Sequence, residues 1–132
     1  MQLKEVMSRT VQVIGPHESL ASAQRRMLQS GIHHLVVVQR DLILGLLTQD
    51  VLVSRKQEGA TMVEDAMLRN IITATPEMTV QEAADLMTPG HPQTALPVVL
   101  GQHLVGIVTL TDLLSLVGKT RRHARGASMS AG

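Results

Sequence analysis

The chain has no cysteine and no Phe, Tyr or Trp among its 132 residues. Without thiols it can hold no disulfide, no thiolate nucleophile and no zinc–cysteine site, and the redox compartment stays open. Without aromatics it lacks the base-stacking platforms of most single-stranded nucleic-acid binders. Its core must come from Leu, Val, Ile, Met and Ala. Excess charge is also missing: 12 Lys and Arg face 11 Asp and Glu, a net +1. Four of the cations (Lys119, Arg121, Arg122, Arg125) follow position 118, which leaves eight against eleven, or −3, for the body. An acidic body is a poor general binder of nucleic acid. Long apolar runs are absent as well; Leu42–Leu47 is far short of the roughly 20 residues that span a bilayer. The first residues carry Lys4 and Glu5 and no apolar core of a signal peptide. The expectation is a soluble, cytoplasmic protein with no membrane partner.

What is present is a duplication. At an offset of 60, Met7/Met67, Arg9/Arg69, Pro16/Pro76, Ala23/Ala83 and Met27/Met87 coincide. At 61, Leu35/Leu96, Val37/Val98, Val38/Val99, Gly45/Gly106 and Thr48/Thr109 coincide, and at 62 Asp50 meets Asp112. That drift is the mark of single-residue loop insertions between two related units.

Each unit reads β-α-β-β-α. Extended segments over 11–14 and 71–74 stop at Gly15-Pro16 and Thr75-Pro76, because a residue before proline is pushed out of the helical region. Ser19 caps the first helix, with Leu20, Ala23, Met27 and Leu28 inward and Ser30-Gly31 at its end. Thr79-Val80-Gln81-Glu82 is a capping box for its counterpart, which Pro89-Gly90 ends. Two β-branched runs follow in each unit, around Gln39-Arg40-Asp41 and Gly101-Gln102-His103. A second helix then begins near Asp50 and near Asp112. Residues 54–64 read as a polar linker, and 119–132 as a basic, disordered tail. The divisions are 1–58, 59–118 and 119–132.

The chain resembles a tandem pair of cystathionine-β-synthase (CBS) domains, a Bateman module, from Lys4 to Val117. Three features carry the resemblance. Glu5-Val6-Met7-Ser8-Arg9 and Asp65-Ala66-Met67-Leu68-Arg69 open the repeats. His33-His34-Leu35 and Thr94-Ala95-Leu96 enter the central strands. Gly106-Ile107-Val108-Thr109-Leu110-Thr111-Asp112 looks like the family's nucleotide motif. The resemblance implies an α/β (α+β) fold of two repeats packed as a pseudo-twofold pair. It also implies a regulatory, non-enzymatic module that senses AMP, ADP, ATP or S-adenosylmethionine in clefts between the repeats. No cofactor is required. A homodimer and a protein partner regulated in trans are implied as partners, and a piece of a larger enzyme or transporter would read the same. The competing reading is a dimerisation or interaction module whose clefts are vestigial.

Carried over residue by residue, the preferred second site comprises Ile72, Thr94, Ala95, Thr109, Thr111 and Asp112. In the family the Asp takes both ribose hydroxyls, and the Thr hydroxyl with nearby backbone N–H groups faces phosphate. A first site of Gln12, His33, His34, Thr48 and Asp50 departs from the pattern, because Thr48-Gln49-Asp50 is one residue short. That shortening turns Asp50 by about 100° around a helix. The same Thr and Asp residues also suit plain helix capping. His33 and His34 point to opposite faces of a strand and do not share a metal. Arg9 and Arg69 either neutralise phosphate or are simply solvated. There is no nucleophile elbow, His-x-x-x-His pair or Walker loop, so the residues offer no catalytic site.

Overall fold

The computed structural model describes residues 1–87 and 90–118. The expected tail and the helix stop at Pro89 therefore lie, in whole or in part, outside the described residues. In chain order the elements are α1 (Leu3–Val6), β1 (Val13–Ile14), α2 (Leu20–Ser30), β2 (His34–Gln39), β3 (Leu42–Thr48), α3 (Gln49–Gln57), α4 (Val63–Ala66), α5 (Val80–Leu86), β4 (Ala95–Leu100) and β5 (His103–Thr109). Residues 110–118 form a final helix, α6. This is the expected mixture of helices and strands, repeated once.

Local chemistry sets the boundaries. The Ser19 hydroxyl accepts from Ser22 N–H at 3.0 Å, and Gly31 closes α2 in the left-handed conformation (φ 63°). Thr79 and Glu82 form the reciprocal capping box of α5, both bonds at 3.0 Å. Thr48 and Thr109 accept from Val51 N–H and Asp112 N–H at the starts of α3 and α6, at 3.1 and 3.2 Å. Two expectations are corrected. Residues 54–57 continue α3 instead of opening a linker. Leu28, expected inward, is 72% exposed; it lies eight residues, or about 80°, past Leu20, off the buried stripe of Leu20, Ala23 and Met27.

β1 pairs parallel with β2, β2 pairs antiparallel with β3, and β4 pairs antiparallel with β5. Both hairpins carry the same irregularity, between Val37 and Val38 and between Val98 and Val99. The expected strand over 71–74 shrinks to one parallel bridge, Ala74 to Val98. Pro97 supplies the reason. In the first repeat Val36 N–H donates to Gln12 O at 3.1 Å; Pro97, at the matching place, has no N–H to donate to Ile72 O.

The leads of the two repeats cross over. Leu3 N–H donates to Met78 O at 2.8 Å, Lys4 N–H to Pro76 O at 2.9 Å and Val80 N–H to Met1 O at 2.9 Å, so α1 sits on the second repeat. Symmetrically, Leu20 N–H donates to Thr61 O, Val63 N–H to Glu18 O and Glu64 N–H to Pro16 O at 2.8–2.9 Å, so α4 sits on the first. The cores follow suit. Leu3 and Met7 bury among Ala83, Leu96, Val108 and Leu113, while Val63, Ala66 and Met67 bury among Ala23, Leu35, Leu47 and Leu52. Val36, Leu46 and Ala95 form a third cluster that joins the repeats.

These crossings explain the motif glycines. Ser8 bridges Ile107, and Leu68 bridges Leu46. A Cβ on Gly106 would lie 2.6 Å from Met7 Sδ and 3.0 Å from Ser8 O, and one on Gly45 would collide with Leu68 O. Glycine is needed at both places so that a lead can cross the strand.

Candidate functional site

The crossing brings the start of one repeat against the motif of the other. A cleft of about 490 Å³ is lined by Ser8, Thr10, Gln12, Gly31, Ile32, His33 and His34 on one side and Ile107, Thr109 and Thr111 on the other. Four hydroxyls, two imidazoles and a carboxamide thus ring a floor of Ile32 and Ile107. Gln12, His33 and His34 line this cleft together with Thr109 and Thr111 of the other repeat. His34 also pairs with Thr48 across β2 and β3, and His33 and His34 meet Thr48 and Asp50 in a second hollow. The repeats are related by a pseudo-twofold axis, and the His33–His34 entrance lies beside both motifs.

The same axis relates Gln12 to Ile72, Ile32 to Gln93, His33 to Thr94, His34 to Ala95, and Thr109 and Thr111 to Thr48 and Asp50. The register confirms the match, since His33 O accepts from Gln49 N–H at 2.9 Å and Thr94 O from Leu110 N–H at 2.8 Å. Thr48 and Thr109 are equivalent N-caps, so Asp50 stands at the place of Thr111, and Val51 at that of Asp112. The shortened motif displaces the carboxylate by one helix position. Asp112 is exposed, follows Thr111 into the first turn of α6 and is not among the residues lining the cleft. Its carboxylate has no hydrogen-bond partner among the described residues, and its backbone N–H is capped by Thr109.

A smaller hollow of about 180 Å³ on the axis is lined by His33, His34, Thr48, Gln49, Asp50, Thr94, Thr109 and Thr111. There His34 Nε2 lies 2.8 Å from Thr94 Oγ1. Burial pushes the His34 pKa below its usual value; the neighbouring His33 adds to this and Asp50 opposes it. His34 is therefore a neutral hydrogen-bonding ring at neutral pH.

Ile72 and Ala95 do not line the open cleft. Ala95 is fully buried in the joining cluster, and both backbone polar groups of Ile72 are bound by the Gln93 carboxamide. Arg9 and Arg69 do not line the open cleft. Their Nη2 atoms donate to Lys4 O at 3.2 Å and Glu64 O at 2.9 Å, which satisfies carbonyls of α1 and α4. Ser8, Thr10, Ile32 and Gln93 were absent from the sequence-derived site. The signal for Gln93 was Pro97, which announces an unmet carbonyl on the preceding segment.

A duplicated β-α-β-β-α unit with exchanged leads, and a polar cleft between one repeat's entrance and the other's helix start, defines a tandem ligand-cleft module. The comparisons give the family. The CBS domain model matches residues 3–57 and 63–119, and the chain belongs to the CBS domain family. It is 30% identical over 115 residues to the CBS domain-containing protein YhcV of Bacillus subtilis, covering 84% of this chain and 81% of that one. It is 31% identical over 119 residues to a homoserine O-acetyltransferase of Methanosphaerula palustris, covering 89% of this chain but only 24% of that protein. The chain thus spans about a quarter of that enzyme's length. Among solved structures, the CBS domain pair of protein MJ0100 in complex with 5′-methylthioadenosine and S-adenosyl-L-methionine superposes with a TM-score of 0.82 at 25% identity, covering 91% and 98% of the two chains. CBSX2 in complex with AMP shares the fold, with a TM-score of 0.76 at 18% identity, covering 92% of this chain and 98% of that one.

No helix among the described residues is long and apolar enough to cross a membrane.

Proposed function

We propose that the chain is a regulatory sensor that binds one adenosine-containing ligand in the cleft between Gln12, His33 and His34 and the Thr109–Asp112 turn. The observation that carries this reading is the open cleft itself, built across the repeats with Ile107, Thr109 and Thr111 of the motif on one wall. The apolar Ile32 and Ile107 suit a base. The Thr109 and Thr111 hydroxyls and the α6 N-terminus suit phosphate or a sulfonium-linked carboxylate. The free Asp112 carboxylate suits a ribose diol. The MJ0100 pair, which carries two adenosyl compounds, supports the ligand class.

The chain acts without chemistry of its own and transmits ligand occupancy to a partner in trans, as a homodimer. Exposed apolar side chains on the helices support dimer formation: Leu28, Val53, Leu86 and Leu114 are 72%, 40%, 36% and 58% exposed. Calorimetric titration with AMP, ADP, ATP and S-adenosylmethionine, with GMP as control, tests the reading. Saturable heat with an adenosyl ligand and none with GMP is expected. A folded, ligand-free protein that gives no heat with any of them would leave the interaction-module alternative.

A further inference from the structure

The pseudo-twofold axis should produce two equivalent clefts, yet the hollow at the place matching the open cleft is smaller and differently lined. At the equivalent of the open cleft the walls carry Ile72, Gln93, Thr94, Ala95, Thr48 and Asp50. On that side there is an open hollow of about 350 Å³ lined in part by Leu68, Pro92 and Asp50, and the 180 Å³ hollow on the axis is shared by both repeats. In sequence, Gln93 lies between Pro92 and Thr94.

Gln93 is only 3% exposed, and every polar atom of its side chain is used. Its Oε1 accepts from Ile72 N–H at 2.9 Å, while its Nε2 donates to Ile72 O at 2.7 Å and to Ala95 O at 3.0 Å. A carboxamide laid against one residue's N–H and C=O presents an acceptor beside a donor. That is the hydrogen-bonding edge of an adenine ring, N1 beside N6–H. In the first repeat the matching residue is Ile32, which cannot make these bonds, and Gln12 N–H has no partner among the described residues. The difference traces to Pro97, which leaves Ile72 O without a ladder donor and makes a side-chain amide there favourable.

We infer that the Gln93 carboxamide is an intramolecular occupant of the second cleft, filling the place of a ligand's hydrogen-bonding edge. The chain therefore takes one adenosyl ligand and not two. The inference rests on the adenosyl reading of the open cleft.

The test is AMP titration, with site number read by calorimetry, on the full chain and on two variants. Gln93→Ala empties the place. Gln93→Ala combined with Pro97→Val also restores a backbone donor to Ile72 O, as Val36 serves Gln12 O, and keeps the strand satisfied if the single variant unfolds. One AMP per chain in the wild type and two in a folded variant is the expected result. A wild type that binds two, or a folded double variant that still binds one, overturns the inference and leaves the adenosyl reading standing. Failure of all three folded proteins to bind AMP, ADP, ATP or S-adenosylmethionine overturns the adenosyl reading, and the inference falls with it.

Discussion

His34 of the first repeat and Thr94 of the second meet across the pseudo-twofold axis, with Nε2 2.8 Å from Oγ1. The contact is asymmetric in origin. The axis pairs Thr94 with His33 and His34 with Ala95, and the mirror contact, Ala95 to His33, cannot form because the Ala95 side chain has no polar atom. One bond thus ties together the walls of two clefts that the duplication alone would have made identical.

That placement gives the protein a pH signature. Burial holds the folded pKa of His34 below the usual histidine value of 6.5, and His33 lowers it further against the opposing Asp50. As pH falls through 6.5 the unfolded chain takes up the proton before the folded chain does. The His34 contribution to stability is complete above 6.5 and is lost as pH drops toward the lowered folded pKa. Urea unfolding at pH 7.5 and 5.5 should show the wild type losing more stability than His34→Asn over this interval. Equal losses would show that His34 titrates alike in both states.

The cap and the ligand contact at the second motif are separable. Thr109→Ala and Thr48→Ala each remove an N-cap and should each cost about 1 kcal/mol. Only Thr109→Ala should also weaken adenosyl binding, because only Thr109 lines the open cleft. Asp112→Ala should change stability by no more than about 0.5 kcal/mol, the worth of an exposed acid in a first helical turn. It should weaken binding about tenfold or more, the loss of one or two hydrogen bonds to a charged group. Denaturant titration and calorimetry on the same samples decide. Unchanged affinity in Asp112→Ala would reduce the motif to a helix cap.

The repeat and its element order were legible because matched residues at fixed offsets carry periodicity, capping residues and turn residues together. Thr79-Val80-Gln81-Glu82 announced α5 in this way, and Ser19 announced α2. The crossing of the leads was not legible. Met7 and Met67 are apolar in the same pattern whether they bury in their own repeat or in the other, so sequence gives their burial and not their partner. The site inherited that blindness: sequence groups Gln12, His33 and His34 with Thr48 and Asp50 alone, whereas the open cleft also brings Thr109 and Thr111 of the other repeat to them. The shortened motif was readable to the residue, since Asp50 falls one helix position before the place of Asp112. Leu28 was misread because helical spacing puts it at the edge of the buried stripe, where only tertiary contact decides exposure.

The two hairpins differ in their turns, and this bears on stability away from the site. Arg40 and Asp41, the two residues between β2 and β3, have φ values of 51° and 65°. Two successive positive φ values define a turn that favours Asn-Gly, and non-glycine residues there carry local strain. Arg40→Asn with Asp41→Gly should raise the urea midpoint, a gain of about 1 kcal/mol, and leave ligand affinity unchanged. A lowered midpoint would mean that the Arg40 or Asp41 side chain contributes more than its backbone costs.

The crossing glycines give a test of the exchanged topology itself. Gly45 and Gly106 occupy the same place in the two motifs, yet they meet different obstacles. An added Cβ at Gly45 runs into the backbone oxygen of Leu68, whose N–H and C=O are both bonded to Leu46 at 2.8 and 3.1 Å. The segment cannot move aside without breaking both bonds. At Gly106 the nearest atom is Met7 Sδ at 2.6 Å, the far part of a flexible side chain, with Ser8 O at 3.0 Å behind it. Methionine can change rotamer where a backbone carbonyl cannot. Gly45→Ala should therefore cost about 3 kcal/mol, the upper end of overpacking penalties, and Gly106→Ala about 1 to 2 kcal/mol. In an uncrossed arrangement neither lead would lie against these strands, and both changes would be nearly neutral. Denaturant unfolding of the two variants decides between the arrangements, and Met7→Ala should relieve Gly106→Ala while leaving Gly45→Ala as unstable as before.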